Sequence, residues 1–270
     1  MIAILLATYN GDKYLSEQLD SIIAQTYKNW ILYIHDDGSN DKTIEIIKKY
    51  TNRYNNIIYL EDDLKHIGPA KSFFWLLEKV NSDYYFFADQ DDVWLTEKIE
   101  ISLKTIKRNE DKFGKIPLLA FSDLTVVDEQ LCNISSSLWE YTKISNVLET
   151  KFLKCLALVT GCTIVINAAG KKIALKYKDK AIMHDSLLAL SISLHGKVIP
   201  IHQSLIKYRQ HSSNSIGIKK YNRSLVSKFS KLKIIYQTYK EYYQFSNSIA
   251  SINPIKFFFL RIEAFIKARH

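Results

Sequence analysis

Short apolar runs alternate with amphipathic stretches along the first half of the chain. The apolar runs predict strands over 2–7, 30–35, 57–60, 84–88 and 118–122. Apolar residues at helical spacing predict helices over 13–25, 41–50, 69–80 and 97–107. This alternation predicts βαβ units, and so an α/β fold with a mostly parallel sheet and helices on both faces. Ligands of such sheets bind beyond the carboxyl ends of the strands, so the candidate binding loops are 8–12, 36–41 and 89–93.

The second half of the chain has a less regular pattern. It predicts two strands on either side of Gly161 within 156–167, a helix over 185–195 and a strand over 198–201. A further helix is predicted over 221–250, and Pro254 separates it from a last stretch that is both apolar and basic.

The composition is that of an ordinary globular protein. Of 270 residues, 47% are hydrophobic and 24% are charged, which excludes a disordered or fibrous chain. The three cysteines form neither a C-x-x-C pair nor an even set, so we expect a reducing cytoplasm rather than a disulfide-bonded secreted fold. The chain opens on a short apolar run without a basic leader, so we expect neither a signal peptide nor a transmembrane segment.

The positive charge is concentrated at the C-terminal end. Residues 219–270 contain eleven Lys and Arg and two acidic residues, which leaves 26 basic and 26 acidic residues in 1–218. A basic segment favours a polyanionic partner, either nucleic acid or an anionic membrane surface. Residues 1–218 match no nucleic-acid-binding module, so we expect no nucleic-acid partner.

The basic tail also contains a cluster of large apolar residues. Lys and Arg stand beside Phe257, Phe258, Phe259, Leu260 and Phe265. This combination suits a helix at a membrane interface. The alternative is a tail that packs its aromatic residues on the main domain and leaves its lysines in water.

Three carboxylates follow a predicted strand in the segment Asp89-Gln90-Asp91-Asp92. In an extended chain Asp89 and Asp91 project to the same side, about 6.6 Å apart at Cα. Adjacent carboxylates repel unless a positive charge is bound, and their hard oxygens suit Mg²⁺ or Mn²⁺. One interpretation is a metal site that also holds a diphosphate, and the other is an acidic helix N-terminus.

Three further polar segments give weaker signals. Asp36 and Asp37 end a predicted strand, where a carboxylate can accept a hydrogen bond from a nucleobase, although a capped turn explains them equally. Asp185 can act as a general base or be only an acid at a helix N-terminus. Arg209 and His211 can face a phosphate or a metal, or be structural.

Taken together, these segments resemble the family 2 glycosyltransferases, which are inverting enzymes with a GT-A fold. The resemblance rests on three segments: Leu6-Ala7-Thr8-Tyr9-Asn10-Gly11, Asp36-Asp37-Gly38-Ser39-Asn40-Asp41 and Phe87-Ala88-Asp89-Gln90-Asp91-Asp92-Val93-Trp94. The last looks like the D-x-D motif as it is written in the rhamnosyltransferase-like branch. The resemblance implies a GT-A domain over 1–218, with a nucleotide-sugar-binding part at 1–115 and an acceptor-binding part at 116–218. A basic helical tail, 219–270, follows it.

The resemblance also implies a role for individual residues. The donor nucleotide is expected at Ala7, Thr8, Tyr9, Asp36 or Asp37, Asp89 and Gln90. Within that set, an acid would pair with uracil or thymine and Asp89 would face the ribose. A Mg²⁺ or Mn²⁺ ion that bridges the diphosphate is expected at Asp91, with His211 touching the metal or the diphosphate. Asp185 is implied as the catalytic base. The donor sugar and the acceptor are expected at Asp92, Trp94, Gly161, His184 and Arg209.

The residues around the implied base depart from the common family pattern. The family commonly has Glu-Asp there, whereas this chain has His184-Asp185, as the rhamnosyltransferase-like branch tends to have. The base is therefore kept while its neighbour differs. Ser186 stands where that branch often has an aromatic residue, which alters the expected contacts to the acceptor.

The implied reaction transfers a sugar from a UDP- or dTDP-sugar, with dTDP-L-rhamnose favoured by the branch. The acceptor is a hydroxyl of a glycan or of a polyprenyl-diphosphate-linked molecule in surface polysaccharide biosynthesis, such as capsule or O-antigen. We expect such an enzyme in the cytoplasm, bound peripherally to the inner face of the cell membrane. The alternatives are a binding module for nucleic acid or a membrane surface without catalysis, a Mg²⁺-dependent nucleotidyltransferase, and a dehydrogenase. The dehydrogenase is disfavoured because no G-x-G-x-x-G follows the first strand.

Overall fold

The computed structural model describes residues 1–211 and 228–268. The strands in these residues are β1 (Ile2–Thr8), β2 (Trp30–Asp36), β3 (Ile57–Tyr59), β4 (Tyr84–Ala88), β5 (Val93–Trp94), β6 (Leu118–Val127), β7 (Asn133–Ser135), β8 (Ile164–Asn167) and β9 (Lys197–Arg209). The helices are α1 (Leu15–Ile23), α2 (Thr43–Arg53), α3 (Pro69–Lys79), α4 (Lys98–Phe113), α5 (Leu138–Tyr141), α6 (Ala168–Leu175), α7 (His184–His195), α8 (Lys228–Ala250) and α9 (Pro254–Lys267). Short 3₁₀ helices lie at Ser145–Val147, Thr150–Lys154, Gly161–Thr163 and Lys178–Lys180.

The strands form one sheet in the order β3-β2-β1-β4-β8-β6-β9-β5, and β7 pairs with β6. The first four strands are parallel to one another. β8 is antiparallel to both β4 and β6, β9 is parallel to β6, and β5 is antiparallel to β9. The predicted parallel arrangement therefore holds over the first half of the chain, and the second half adds a mixed part.

The register of the first strands brings their carboxyl ends to one edge of the sheet. Thr8 at the end of β1 pairs with Asp36 at the end of β2. Leu6 in β1 pairs with Ala88 at the end of β4. Because these strands are parallel and end together, the three loops that follow them leave the sheet side by side.

Helices pack on both faces of the sheet. β1 is followed by β2 on one side and flanked by β4 on the other, so right-handed crossovers place α1 and α2 on one face and α3 on the opposite face. α1 buries Leu15, Leu19 and Ile22, which recur at helical spacing. α3 packs against α7, whose residues Leu187 and Leu188 are fully buried.

The strands and helices predicted for the first half are confirmed, with their ends shifted by a few residues. In the second half, the predicted strand before Gly161 is wrong, because residues 157–160 have no regular structure and line a cavity instead of pairing with a neighbouring strand. β9 has 13 residues and extends well beyond the predicted 198–201, since it pairs with β6 and then also with β5. The start of the helix predicted over 221–250 and the domain boundary at 218 lie outside the described residues.

The two C-terminal helices pack on the main body of the protein. The Tyr242 hydroxyl in α8 is buried and donates to the Leu153 carbonyl at 3.2 Å. Phe257 in α9 is fully buried, with its ring centroid 5.1 Å from that of Tyr239 and 5.3 Å from that of Tyr243. Tyr242 therefore anchors α8 to the domain, and Phe257 packs α9 against α8.

The aromatic residues of α9 do not all share this environment. Phe257 faces the protein, and Leu260 is half-buried, whereas Phe258, Phe259 and Phe265 are exposed. In the part of the chain that the structure describes, no helix has both the length and the apolar character needed to cross a membrane.

Candidate active site

A cavity of about 1210 Å³ opens at the carboxyl edge of the first strands. Its walls come from the loops after β1, β2 and β4, the N-terminus of α7, the end of β9 and one residue of α8. Asp37, Asp91 and Asp185, which are far apart in the sequence, all line it. The sequence-predicted residues on its wall are Ala7, Thr8, Tyr9, Asp37, Asp89, Gln90, Asp91, Gly161, His184, Asp185 and His211.

Asp36 and Asp37 have different surroundings although they are adjacent. The Asp36 carboxylate accepts hydrogen bonds from the hydroxyls of Thr8 and Ser39, at 2.8 and 2.6 Å. It closes the turn after β2 and does not line the cavity. The Asp37 carboxylate does line the cavity, and it accepts from two backbone N–H groups in the loop before α3, at 2.7 and 2.8 Å. Of the two acids that the resemblance leaves open, the geometry therefore favours Asp37 for a nucleobase.

A side-chain amide joins the loops after β1 and β4. Gln90 accepts from the backbone N–H of Tyr9 at 2.8 Å and donates to the Tyr9 carbonyl at 2.9 Å. Gly11 leaves room for this amide, because a Cβ there would lie 2.3 Å from the Gln90 side-chain oxygen. The Tyr9 ring, 46% exposed, stands edge-on to His66 with ring centroids 5.4 Å apart. Asp37 lies on the same wall, so an aromatic surface and a hydrogen-bond acceptor are both available to a base.

Three carboxylates meet in one part of the cavity. Burial, with the negative charges of Asp91 and Asp185, raises the pKa of the Asp89 carboxyl to about 7. His211 Nε2 lies 2.8 Å from Asp91 Oδ2. A site with this much negative charge is stabilised when a cation shares it, and carboxylate oxygens are the ligands that Mg²⁺ and Mn²⁺ prefer. The residues present therefore fit a divalent cation at Asp91 with His211 beside it.

Another group of possible ligands lies behind this wall. Asp89, Asp92 and Cys162 have ligand atoms within 4.8 Å of one another. Asp92 is fully buried and accepts from the backbone N–H of Arg209 at 3.2 Å. Neither Asp92 nor Cys162 lines the cavity, so an ion held by both would be separated from a ligand in it. An ion in contact with a ligand in the cavity would therefore need Asp91, which lines it, rather than Asp92.

Asp185 is positioned by the start of α7. The helix begins at His184, so Asp185 lies in the first turn, where the helix dipole favours a negative charge. The backbone N–H of Ser186 donates to its carboxylate and orients it. Burial nevertheless raises the pKa of the Asp185 carboxyl from 3.8 to about 6. Such a carboxyl is ionised at neutral pH and is still basic enough to take a proton.

His184 supports this helix end by packing. Its ring centroid lies 4.1 Å from that of Phe73 and 5.8 Å from that of Phe87. Burial lowers the pKa of His184 to about 3, so the imidazole is neutral. Gly161 lies directly against the ring, and a Cβ there would be 2.4 Å from His184 Nε2. This close approach explains the glycine next to the candidate base.

Asp92, Trp94 and Arg209 are predicted at the donor sugar or the acceptor, but the structure places all three behind the cavity wall. Trp94 is 2% exposed, and the Lys98 Nζ lies 3.9 Å from its ring centroid. Asp92 faces the same buried region. The predicted roles of Asp92 and Trp94 are wrong because the chain turns back into the sheet as β5 immediately after Asp92.

Arg209 holds several segments together and is 1% exposed. Its guanidinium donates to the carbonyls of Asp91 and Glu129, at 2.9 and 2.6 Å, and to the Glu17 carboxylate at 2.6 Å. It also lies over the Tyr14 ring, 4.4 Å from the centroid. Arg209 therefore positions the backbone at Asp91 from behind, which favours its structural interpretation over a phosphate or metal contact.

The segment that supplies several of these cavity residues matches a known protein family. Residues 3–127, which contain both the loop after β2 and the D-x-D segment, match the family described as Glycosyl transferase family 2. The matched segment, a little under half of the chain, is therefore similar to glycosyl transferase family 2.

One relative with a named activity aligns with most of the chain. The dTDP-rhamnosyl transferase RfbG of Shigella flexneri is 27% identical over 263 residues, which are 91% of this chain and 84% of that protein.

Solved glycosyltransferase structures share the fold. TarS from S. aureus in complex with UDP is 19% identical, with a TM-score of 0.58 over 77% of this chain and 60% of that one. The mannosyltransferase PcManGT from Pyrobaculum calidifontis, in complex with GDP-Man and Mn²⁺, is 14% identical, with a TM-score of 0.63 over 98% of this chain and 69% of that one. The predicted GT-A fold is thereby confirmed.

Part of the cavity wall is not predicted from the sequence. His66 and Tyr208 line it beside the acids, and Tyr242 reaches it from α8. An apolar wall is formed by Leu138, Ile144, Ala157, Leu158, Val159, Ile182 and Met183. These residues lie mostly in irregular segments that no motif marks. The one available signal was the apolar run before Gly161, which was interpreted as a strand.

Proposed function

We propose that the chain is an inverting glycosyltransferase that uses a UDP- or dTDP-sugar donor. The observation that carries this proposal is that Asp37, Asp91 and Asp185, supplied by three separate segments, line one cavity. In this assignment Asp37 accepts a hydrogen bond from the imide N–H of uracil or thymine. Tyr9 lies beside the base, and Asp89 faces the ribose.

Asp185 acts as the general base of the reaction. It takes the proton of the acceptor hydroxyl while that oxygen attacks the anomeric carbon of the donor sugar. The new C–O bond forms on one face of the sugar as the C–O bond to the diphosphate breaks on the other, so the configuration inverts. The nucleoside diphosphate leaves with the electron pair of the broken bond. A Mg²⁺ or Mn²⁺ ion, when bound at Asp91 and His211, offsets the charge that develops on the diphosphate.

The donor we favour is dTDP-L-rhamnose. The relative RfbG, whose name is dTDP-rhamnosyl transferase, aligns with 91% of this chain. The TarS and PcManGT structures hold UDP, and GDP-Man with Mn²⁺, in a fold of this kind. The names and ligands of these proteins support a nucleotide-linked sugar, and the Mn²⁺ in the PcManGT structure supports a divalent metal.

The acceptor we propose is a glycan or a polyprenyl-diphosphate-linked molecule of surface polysaccharide biosynthesis, used at the inner face of the cell membrane. The apolar wall of the cavity supports this choice. Leu138, Ile144, Leu158 and Ile182 offer an apolar surface close to the acids, which suits an acceptor with a hydrocarbon part.

A donor screen tests the proposed function. The full chain is incubated with UDP-, dTDP- and GDP-sugars and Mg²⁺ or Mn²⁺, with and without a lipid-linked acceptor, and release of the nucleoside diphosphate is measured. We expect release from one donor, and we expect Asp185→Asn to bind that donor yet lower turnover by at least about 10²-fold. Asp179→Asn, a change at an exposed acid, is the matched control.

Three results would contradict these assignments. Near-normal turnover of Asp185→Asn would remove Asp185 from the role of base. Asp91→Ala with retained, metal-independent activity would reject the metal site. Consumption of nucleoside triphosphates with release of pyrophosphate would support a nucleotidyltransferase instead.

A further inference from the structure

The outward face of α9 consists of large apolar side chains. At 3.6 residues per turn, their spacing places them within an arc of about 120°. Six residues, each 38–66% exposed, form this face and are called here the Ile/Phe stripe: Ile255, Phe258, Phe259, Ile262, Phe265 and Ile266.

Packing fixes the direction in which the stripe points. On the other side of α9, Phe257 and Ala264 are buried. The Arg261 guanidinium lies 5.6 Å from the Tyr239 ring centroid and donates to the Cys155 carbonyl at 3.3 Å. Turning the stripe inward would break these contacts, so its exposure is a property of the folded protein.

Charge indicates which partner covers the stripe. Contiguous exposed apolar patches mark interaction sites. α9 itself carries three basic residues and one acidic residue, so two copies joined through it would bring like charges together. An anionic bilayer offers an apolar interior beneath negative headgroups and so matches both properties. We propose that α9 docks on an anionic lipid surface with the Ile/Phe stripe among the acyl chains and Lys256, exposed at the start of the helix, among the headgroups.

The length of α9 determines how it sits in the lipid. Its 14 residues give a helix of about 21 Å at 1.5 Å per residue, against about 30 Å for the hydrocarbon core. The helix is also apolar on one face and packed against protein on the other. It therefore lies in the plane of the interface.

Docking of α9 has a consequence for the cavity. α9 packs against the 3₁₀ helix Thr150–Lys154, and residues 157–160, which follow it, form part of the apolar cavity wall. A lipid-linked acceptor in the same bilayer would then be presented close to that wall. This consequence rests on the proposed function, whereas lipid binding by α9 does not.

Vesicle sedimentation of the full chain tests the proposal. The probes are phosphatidylcholine vesicles with and without phosphatidylglycerol, and no nucleotide sugar is present. We expect the wild-type chain to sediment with the anionic vesicles. We expect the double variant Phe258→Ser, Phe259→Ser to bind them at least about tenfold more weakly, because transfer of one phenyl group from water contributes about that factor.

The matched control is Phe113→Ser, which removes an exposed phenylalanine at the end of α4 and should bind vesicles as the wild type does. Thermal unfolding should be the same for all three chains, since the substituted side chains are exposed. The proposal would be overturned if the wild-type chain did not sediment with anionic vesicles, or if the double variant bound them as strongly as the wild type. Equal binding to vesicles without phosphatidylglycerol would also overturn it.

A second copy of the chain is the competing partner. Self-association that the double substitution abolishes, without vesicle binding by the wild type, would assign the stripe to a dimer and overturn the proposal. Release of diphosphate from a soluble donor is measured separately, so failure of that assay bears on the proposed function and leaves the vesicle result intact.

Discussion

Replacement of Asp185 by asparagine should make the protein more stable and less active at the same time. Burial raises the pKa of the Asp185 carboxyl from 3.8 to about 6, which means that the folded protein resists ionising this group. Asparagine keeps the size of the side chain, and its carbonyl oxygen can accept the same bond from the backbone N–H of Ser186. The substitution therefore removes the buried charge and keeps this bond.

The expected gain follows from the pKa shift and depends on pH. At 1.36 kcal/mol per pKa unit, the shift from 3.8 to about 6 corresponds to about 3 kcal/mol. Above both values the carboxylate is charged in the folded and unfolded protein, so its burial lowers the free energy of unfolding by that amount. Near pH 5 about half of the effect remains, and well below pH 3.8 the group is neutral in both states and the effect vanishes. Asp185 also raises the pKa of Asp89, so relief at Asp89 acts in the same direction.

Urea unfolding measures this difference. We expect the free energy of unfolding of Asp185→Asn to exceed that of the wild type by about 3 kcal/mol near pH 8 and by about half as much near pH 5. Asp179→Asn, at an exposed position in the 3₁₀ helix Lys178–Lys180, should show no gain at either pH. The absence of a gain near pH 8, or a gain of the same size at both pH values, would refute the account of a buried, ionised base.

Three further predictions concern the same site. The pH–rate profile should show kcat falling below about pH 6, because a protonated Asp185 cannot accept a proton; an unchanged kcat down to about pH 5 would contradict its role. Gly161→Ala places a Cβ 2.4 Å from His184 Nε2, so urea unfolding should show a loss of about 1–3 kcal/mol, and wild-type stability would mean that the ring moves freely. Arg209→Lys keeps the charge but cannot make all three guanidinium bonds, so it should lower the free energy of unfolding by about 2–5 kcal/mol, and a loss within experimental error would deny Arg209 its positioning role.

Local sequence pattern was sufficient for the parallel half of the fold and for the acids at its edge. The short apolar runs could pair in few ways, and the register of β1 with β2 and β4 then brings the three loops together without further information. The family resemblance, not the local pattern, implied that Asp91 and His211 lie together, and the 2.8 Å contact between them depends on β9 returning along β6 to that edge.

Sequence pattern failed where the direction of a side chain depends on long-range contacts. Asp36 and Asp37 look equivalent in the sequence, and only the bonds from Thr8 and Ser39 show that Asp36 closes the turn. Arg209 looks like a phosphate ligand, and its burial depends on Glu17, a residue far away in the sequence. The wall at 157–160 was missed because its apolar residues line a cavity, which leaves the same local signature as a strand.

The side-chain amide of Gln90 adds one more pair of hydrogen bonds between the chain segments that follow β1 and β4. Backbone pairing of β1 with β4 stops at Leu6 and Ala88, and beyond it the Gln90 side chain offers Tyr9 the donor and the acceptor that a neighbouring peptide group would offer. A glutamate could accept but not donate, and an asparagine is one methylene shorter. The D-x-D motif leaves its middle position unspecified, but in this chain Gln90 at that position has a structural role. Its side chain continues the hydrogen bonding of the sheet as far as the cavity wall.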